Sequence, residues 1–157
     1  MDKIRIEKTK PIKLAYIEHI GEYSKVPYGE YIQRLFEWAK ENKARPGFKS
    51  INVYHDDPQE KNPADCKTWV GIPIRGNVKP DNEVKIEDLP ATDIASYKFR
   101  GTSDQIKDAY VQINKWMDEN GYEWNGPSME VCSKKPKEKN GQILLYSTIQ
   151  VPIKKMR

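Results

Sequence analysis

Thr68–Arg75 reads T-W-V-G-I-P-I-R, and Ser147–Lys154 reads S-T-I-Q-V-P-I-K. Pro73 and Pro152 occupy the same place in the two stretches. Three more pairs of segments keep nearly the same spacing, an offset of 78 to 80 residues: Ile51–Pro58 with Met129–Pro136, Leu14-Ala15 with Ile94-Ala95, and Trp38 with Trp116. Chance matches would not hold this register, so the sequence predicts a duplicated module. Two like halves create a cleft at their junction, and ligands commonly bind in such clefts.

Length and composition fit one compact domain or two small halves that share a core. The chain has 157 residues, of which 37% are apolar and 10% aromatic, enough to build a core. No apolar run approaches the roughly 18 residues of a membrane-spanning helix, and the start of the chain lacks the apolar stretch of a signal peptide. Two cysteines do not suggest a disulfide scaffold, so we expect Cys66 and Cys132 to be reduced in a cytoplasmic protein.

The net charge of +4 is modest, and the excess of lysine is concentrated at Lys134–Lys139 and Lys154–Arg157. We interpret these clusters as a solvated turn and a solvated tail, because no aromatic residue interleaves either of them. Neither nucleic acid nor a membrane is therefore predicted as a direct partner.

Each half is predicted to contain a strand, a helix and two further strands. The expected first strands are Lys13–Ile20 and Asp93–Arg100, and the expected helices are about Tyr28–Asn42 and Ser103–Asn120. Ser103 is a candidate N-cap, and Gly121 is a candidate C-terminal stop. The first repeat covers about residues 10–75, a linker rich in Pro, Asp and Asn covers 76–91, and the second repeat covers about 92–155. The fold class is α+β, with residues 1–157 forming a single domain.

Strand alternation assigns the side chains of each sheet to two faces. The helix should cover one face, and the other face should line a groove. This alternation assigns apolar residues to the helix-covered core, among them Ile51, Val53, Met129 and Val131. The residues predicted to line the groove are Tyr16, Glu18, Tyr54, Trp69, Glu130, Cys132, Tyr146 and Thr148. Aromatic faces attract a desolvated cation and a carboxylate supplies its counter-charge, so this set suits a cationic ligand.

The stretch Asn52–Ile74, N-V-Y-H-D-D-P-Q-E-K-N-P-A-D-C-K-T-W-V-G-I-P-I, resembles the signature region of GyrI-like small-molecule-binding domains. The P-S-M-E-V-C segment of the second half also fits, and the resemblance covers about Lys10–Lys155. Such domains also serve as effector-binding domains of multidrug-sensing and AraC-type transcription regulators. The resemblance implies two strand-helix-strand-strand repeats, a curved antiparallel sheet with one helix per repeat, and a central ligand groove.

The family's acidic residue in the E-V-aromatic motif matches Glu130, and in multidrug-sensing relatives that acid faces lipophilic cations in an aromatic pocket. This chain departs from the pattern at two positions. Cys132 stands where the motif has an aromatic residue, which would reshape the pocket. Thr148 stands where many members have a second Glu, which weakens the case for a dicationic ligand.

The leading interpretation is a stand-alone domain that binds an amphipathic, cationic drug or toxin, either to sequester it or to signal to a protein partner. No helix-turn-helix module accompanies the repeats, so the chain is not expected to bind DNA directly. An enzyme is the second interpretation. Some GyrI-like proteins resemble hydrolases that open reactive cyclopropane rings in toxins. Glu130 would then be the general base, and Tyr16, Tyr54 or Tyr146 could donate a proton.

A gyrase-inhibitory type of protein interaction is the third interpretation, although a net charge of +4 does not favour DNA mimicry. No cofactor is expected, because the sequence has no phosphate loop and no dinucleotide fingerprint. No metal site is expected either. His19 and His55 are the only histidines, and a solvated turn explains His55 beside Asp56 and Asp57 more simply than a metal does.

Overall fold

The computed structural model describes residues 4–134 and 137–157. These residues divide into two compact units. The first-repeat unit is Lys10–Ala91, and the second-repeat unit is Thr92–Arg157 together with the N-terminal segment that ends at Thr9.

Eleven strands and two α-helices are formed by the described residues. The strands are β1 (Arg5–Lys8), β2 (Ile12–Ile20), β3 (Arg45–Pro46), β4 (Ser50–Tyr54), β5 (Lys67–Arg75), β6 (Lys85–Leu89), β7 (Asp93–Gly101), β8 (Tyr122–Trp124), β9 (Ser128–Cys132), β10 (Lys137–Lys139) and β11 (Gln142–Lys155). The helices are α1 (Tyr28–Glu41) and α2 (Ile106–Asn120).

Strand pairing is antiparallel throughout both units. In the first-repeat unit, β5 pairs with β2, β3 and β4, and β2 pairs with β6. In the second-repeat unit, β11 pairs with β7, β8, β9 and β10, and β7 pairs with β1. Each unit therefore holds the predicted strand, helix and two further strands, and the α+β fold class is confirmed.

One helix covers one face of the sheet in each unit. Leu35, Trp38 and Ala39 of α1 pack against Ala15, Ile17, Ile72 and Ile74. Ala109, Ile113 and Met117 of α2 pack against Tyr97, Phe99, Ile149 and Val151 in the same way. Burial of one such Leu or Ile side chain contributes about 1.5–3 kcal/mol, so these two clusters hold the helices in place. We call the helix-covered side of each sheet its helix face, and the other side its opposite face.

The ends of α2 test two predictions. Gly121 adopts the left-handed conformation with φ 77° and ψ 35°, and its N–H donates to the Met117 carbonyl, so the predicted C-terminal stop is confirmed. The predicted N-cap at Ser103 is wrong, because the helix begins at Ile106. The side chain of Gln105 instead accepts a hydrogen bond of 2.9 Å from the Thr102 N–H, which closes the turn before the helix.

The two edge strands, β1 and β6, were not predicted. Each precedes one repeat in the sequence but pairs with a strand of the other repeat. The strand β1 precedes the first repeat but pairs with β7 of the second. The strand β6 lies inside the predicted linker 76–91, precedes the second repeat and pairs with β2 of the first. Both strands are largely exposed, so they lack the apolar alternation that would reveal them in the sequence.

Candidate functional site

The carboxyl group of Glu130 lies on the helix face of the second-repeat unit. Glu130 is the central residue of β9 and lies directly opposite Ile149 of β11, which is buried in the core under α2. Residues opposite each other in an antiparallel pair point to the same face. The predicted placement of Glu130 and Cys132 on the groove face is therefore wrong. Met129 and Val131 lie on the opposite face, with Gln150 and Thr148.

Tyr110 of α2 is the hydrogen-bond partner of this carboxyl group. Its hydroxyl donates to Glu130 Oε2 at 2.8 Å and lies 3.3 Å from Ser128 Oγ. Ser128 and Glu130 are two residues apart in β9, so both side chains point toward the helix. The helix face thus brings a carboxyl group and two hydroxyl groups together.

Desolvation dominates the electrostatics of Glu130. Burial raises the pKa of its carboxyl group from 4.5 to about 7, and the hydrogen bond from Tyr110 opposes this rise. Glu130 makes no ion pair with any residue in the described ranges 4–134 and 137–157. A buried carboxylate without a cationic partner is unfavourable, so the group exists partly in its neutral form near neutral pH.

Aromatic rings border the carboxyl group. The Tyr110 ring stacks on Trp124 with centroids 6.5 Å apart and planes at 22°. The indole N–H of Trp124 donates to Asn114 Oδ1 at 2.7 Å, which fixes the ring orientation. Trp124 is 40% exposed, so the aromatic pair extends from the carboxyl group to the protein surface.

Asn52 occupies the position in the first-repeat unit that corresponds to Glu130. It is the central residue of β4, lies opposite the buried Val70, and is only 7% exposed. Tyr54 points to the same helix face, where its hydroxyl lies 3.2 Å from the Tyr28 hydroxyl of α1. The predicted groove-face placement of Tyr54 is therefore also wrong.

Tyr16, Glu18 and Trp69 lie together on the opposite face of the first-repeat unit, as predicted. Tyr16 stacks on Trp69 with centroids 4.1 Å apart and planes at 19°. The Trp69 indole N–H donates to Glu18 Oε1 at 3.1 Å, and Lys67 Nζ lies 3.9 Å from the same oxygen. Glu18 is thus engaged by an N–H donor and an ammonium group, whereas the hydrogen-bond donor to Glu130 is the neutral Tyr110 hydroxyl.

The His55 ring also belongs to this aromatic cluster. It packs edge-to-face with Trp69, and the two ring centroids are 4.3 Å apart. Desolvation lowers the pKa of His55, and the nearby Lys67 adds to the effect. Burial raises the pKa of Tyr16, and the charges of Glu87 and Glu18 raise it further. Both shifts favour the uncharged forms of His55 and Tyr16.

Tyr146 and Thr148 lie on the opposite face of the second-repeat unit, also as predicted. Tyr146 is directly opposite Arg100 of β7, and Thr148 is directly opposite Lys98. The eight predicted residues are consequently split: five lie on the opposite faces of their units, whereas Tyr54, Glu130 and Cys132 lie on the helix faces. The predicted aromatic set around Glu130 does not share one sheet face.

The whole fold matches one protein family. The family model of the GyrI-like small molecule binding domain matches residues 2–154. The chain belongs to the GyrI-like family. The resemblance seen in the sequence is confirmed, and small-molecule binding is the property that describes this family.

Individual proteins that are similar to this chain share its fold but little of its sequence. The chain of EcmrR in its DNA complex superposes with a TM-score of 0.80 at 15% identity, covering 98% of this chain and 58% of that one. This chain thus spans little more than half of EcmrR. The isolated EcmrR C-terminal domain superposes with a TM-score of 0.77 at 17% identity and 98% coverage of both chains.

Two further relatives cover most of the GyrI-like domain. SAV2435 bound to tetraphenylphosphonium superposes with a TM-score of 0.58 at 8% identity, covering 98% of this chain and 94% of that one. YosT of Bacillus subtilis strain 168, an SPbeta prophage-derived protein whose name assigns it to transcriptional regulation, is 21% identical over 124 residues. That alignment covers 79% of this chain and 83% of YosT. At these identities the structural matches show the fold alone.

Three residues beside Glu130 were not predicted as site residues: Tyr110, Trp124 and Ser128. Tyr110 lies in the apolar stripe of α2 together with Ile106, Ile113 and Met117. A signal was nevertheless present, because a tyrosine in an apolar stripe needs a hydrogen-bond partner for its hydroxyl when buried. The strand that α2 covers offers Glu130 as that partner.

Two other classes of feature are missing from the part of the chain that the structure describes. No group of three or more His, Cys, Asp or Glu side chains there could hold a metal ion. Neither of the helices formed by residues 4–134 and 137–157 is long and apolar enough to cross a membrane.

Proposed function

We propose that this GyrI-like domain binds a lipophilic organic cation in the second-repeat unit, with Glu130 as its counter-charge. The observation that carries the proposal is the Glu130 carboxyl group: burial raises its pKa to about 7, and it has no cationic partner among the described residues. A bound cation would supply that partner and would draw the carboxyl group into its charged form.

The aromatic neighbours suit the same ligand. A cation near the face of Tyr110 or Trp124 gains about 0.5–2 kcal/mol, with the larger value when the cation is desolvated. SAV2435, which shares the fold, was solved with tetraphenylphosphonium, a cation of this class. Binding alone would serve either role that we consider, sequestration of a toxic compound or sensing that passes a signal to a protein partner.

Charge dependence tests the proposal directly. The binding of tetraphenylphosphonium is compared with that of triphenylphosphine oxide, a neutral compound with the same aryl groups, by isothermal titration calorimetry. Glu130→Gln should lower the affinity for the cation by about tenfold or more. It should lower the affinity for the neutral compound by less than about twofold. The matched control is Glu119→Gln, an exposed charge removal on α2 that should leave both affinities unchanged. Equal weakening of both compounds by Glu130→Gln would contradict the proposal.

Tryptophan emission tests where the cation sits. A ligand beside Tyr110 should change the emission of Trp124, so Trp124→Phe should remove most of the response to tetraphenylphosphonium. Trp69→Phe is the matched control, because Trp69 lies in the aromatic cluster of the first-repeat unit. A response lost with Trp69→Phe instead would move the binding site to that cluster.

A hydrolase that opens reactive cyclopropane rings is the second candidate, and the pKa of Glu130 favours it. A general base works best when its pKa is near the working pH, and about 7 meets that condition. Tyr110, at 2.8 Å from Glu130, replaces the predicted tyrosines as the candidate proton donor.

Product analysis separates the two candidates. The protein is incubated with a cyclopropane-bearing toxin, and the ring-opened water adduct is sought by mass spectrometry. A hydrolase should form the adduct, lose this activity with Glu130→Gln, and lose part of it with Tyr110→Phe. Recovery of the intact compound after saturable binding would leave the binding function and exclude hydrolysis of that substrate.

A further inference from the structure

A cleft of about 320 Å³ lies in the second-repeat unit and is distinct from the surroundings of Glu130. Its lining residues come from β7, β11 and the turn after β9: Lys98, Phe99, Arg100, Ser133, Lys134, Tyr146, Ser147 and Thr148. The volume is within the range of small-molecule sites. None of the lining residues is acidic.

Strand register explains why the basic residues meet on one face. Arg100 is directly opposite Tyr146, and Lys98 is directly opposite Thr148, so all four side chains point to the opposite face. The hairpin strand β10 continues the pattern, because Lys137 is paired with Leu144, which has the same alternation as Tyr146. Glu138 alternates away from this face.

Three cations surround the Tyr146 ring. The guanidinium carbon of Arg100 is 5.3 Å from the ring centroid, and the ammonium groups of Lys134 and Lys137 are 5.8 and 5.9 Å away. Each cation is attracted to the face of the ring by a cation–π interaction. The three positive charges also repel one another, because they lie around the same ring.

Within residues 4–134 and 137–157, no carboxylate pairs with these cations. Lys98, Arg100, Lys134 and Lys137 form no ion pair with another residue among those whose structure is described. Other basic residues do have such partners; Lys154, for example, lies 3.6 Å from Glu123. The cleft therefore concentrates positive charge that an anion would stabilise.

We propose that this cleft binds a small organic phosphate. The guanidinium of Arg100 can bind two phosphate oxygens through parallel N–H bonds, and the lysines add point charges. The hydroxyl groups of Ser133 and Thr148 can donate further hydrogen bonds. Several cations around one centre match a phosphate monoester, which carries nearly two negative charges, better than a single carboxylate. The cleft volume leaves room for an organic group beside Tyr146.

The lysine cluster Lys134–Lys139 is therefore more than the solvated turn that the sequence suggested. Two members of that cluster, Lys134 and Lys137, join Lys98 and Arg100 from a distant strand. The sequence alone could not show this, because no spacing rule connects the turn with alternate residues of β7.

Calorimetric titration of the full chain with glucose 6-phosphate, inorganic phosphate and glucose at constant ionic strength tests the proposal. Glucose 6-phosphate should bind saturably, inorganic phosphate more weakly, and glucose not measurably. Arg100→Gln should lower the affinity for glucose 6-phosphate by about tenfold or more. Lys107→Gln removes one exposed charge from α2 of the same unit and should change the affinity by less than about twofold.

A second variant separates specific contacts from loss of charge or of folding. Thr148→Val keeps the charge and the shape of the side chain but removes its hydroxyl group. It should lower the affinity for glucose 6-phosphate by about threefold to tenfold. The melting temperature should change by no more than a few degrees. Glu130→Gln should leave phosphate binding intact, and Arg100→Gln should leave tetraphenylphosphonium binding intact. Failure of this proposal is therefore distinguishable from failure of the proposed cation site.

Three results would overturn the proposal. The first is no saturable binding of either phosphate compound at millimolar concentration. The second is equal weakening by Arg100→Gln and Lys107→Gln, which would indicate a diffuse charge effect. The third is much tighter binding of a single-stranded oligothymidylate with a steep dependence on salt, which would assign the cleft to a nucleic-acid backbone.

Discussion

The two repeats place a buried polar side chain at the same strand position but differ in its charge. Glu130 is central in β9 and Asn52 is central in β4, and both point to a helix. Each is near a buried hydroxyl without a hydrogen-bond partner in the described ranges, Ser147 in one unit and Thr68 in the other. The fold therefore accommodates polarity under both helices, whereas the ionisable group is present under only one. A duplicated scaffold can in this way acquire an ionisable group, the basis of the proposed cation site, in only one of its repeats.

The largest expected effect is the removal of the charge at Glu130. Because the folded-state pKa is raised to about 7 from 4.5, the folded protein binds more protons than the unfolded chain between these values. Stability thus falls as pH rises through this window, by about 3 kcal/mol in total. Glu130→Gln should be about 3 kcal/mol more stable than the wild type at pH 8 and nearly equal to it at pH 4.

Urea unfolding at the two pH values measures this difference. The exposed Glu119→Gln is the matched control and should show no such gain at pH 8. A Glu130→Gln variant that gains nothing at pH 8 would mean that the Glu130 carboxylate is not penalised in the folded protein, and the contrast with Asn52 would lose its electrostatic basis.

Introducing the charge at the other repeat should have the inverse effect. Asn52→Asp keeps the size of the side chain and buries a carboxyl group on the helix face of the first-repeat unit. We expect a loss of about 1–3 kcal/mol at pH 8 and a much smaller loss at pH 4, where the acid is neutral. Asn82→Asp, at an exposed position, should change stability by less than about 0.5 kcal/mol. Similar losses for both variants at pH 8 would show that Asn52 is not equivalent to Glu130.

How far the sequence predicted these faces depends on whether one or both faces of a strand are covered. In β7, alternation in the sequence does mark the buried side, because Ala95, Tyr97 and Phe99 are apolar and alternate with Ser96, Lys98 and Arg100. It failed for β4, where Ile51 and Val53 lie on the opposite face and are nevertheless buried, 6% and 2% exposed. Apolar residues therefore marked the wrong side, as they do whenever both faces of a strand are buried.

The uncertainty over strand faces also limited the prediction of the candidate site. The fold, the helices and the choice of Glu130 as a candidate residue followed from the repeat and the family resemblance, because both depend on patterns along the chain. The contact of Tyr110 with Glu130 and the grouping of Arg100 with Lys134 depend on which side of a strand faces a helix. That choice is made by packing between elements, and no local pattern encodes it.

The repeats also differ on their opposite faces, where Gly71 corresponds to Gln150. Gly71 lies opposite Tyr16, and a Cβ there would be 2.7 Å from Leu14 Cδ1 and 3.0 Å from the Ala15 carbonyl oxygen. Gly71→Ala should therefore destabilise the protein by about 1–3 kcal/mol. Gly29→Ala is the control: a Cβ at Gly29 of α1 meets nothing within 4 Å, so this change should stabilise by about 0.5–1 kcal/mol. Thermal unfolding that ranks the two variants in the reverse order would contradict the close packing.

The smallest expected effect concerns the buried hydroxyl of Thr68. Thr68 is fully buried on the helix face, and its Oγ1 has no hydrogen-bond partner in the parts of the chain that are described. Valine has the same shape without the hydroxyl, so Thr68→Val should stabilise the protein by about 1 kcal/mol. For a chain of this size the melting temperature should rise by about 2–4 °C.

Thr9→Val is the matched control for Thr68→Val, because the Thr9 hydroxyl accepts a hydrogen bond of 2.9 Å from the Thr92 N–H and lies 3.3 Å from the Thr92 carbonyl oxygen. The same chemical change should therefore destabilise at Thr9 and stabilise at Thr68. If Thr68→Val also destabilises the protein, the polar group under α1 has a function in the folded state. The first repeat would then hold a polar site of its own, and the two repeats would differ in the kind of ligand and not in its presence.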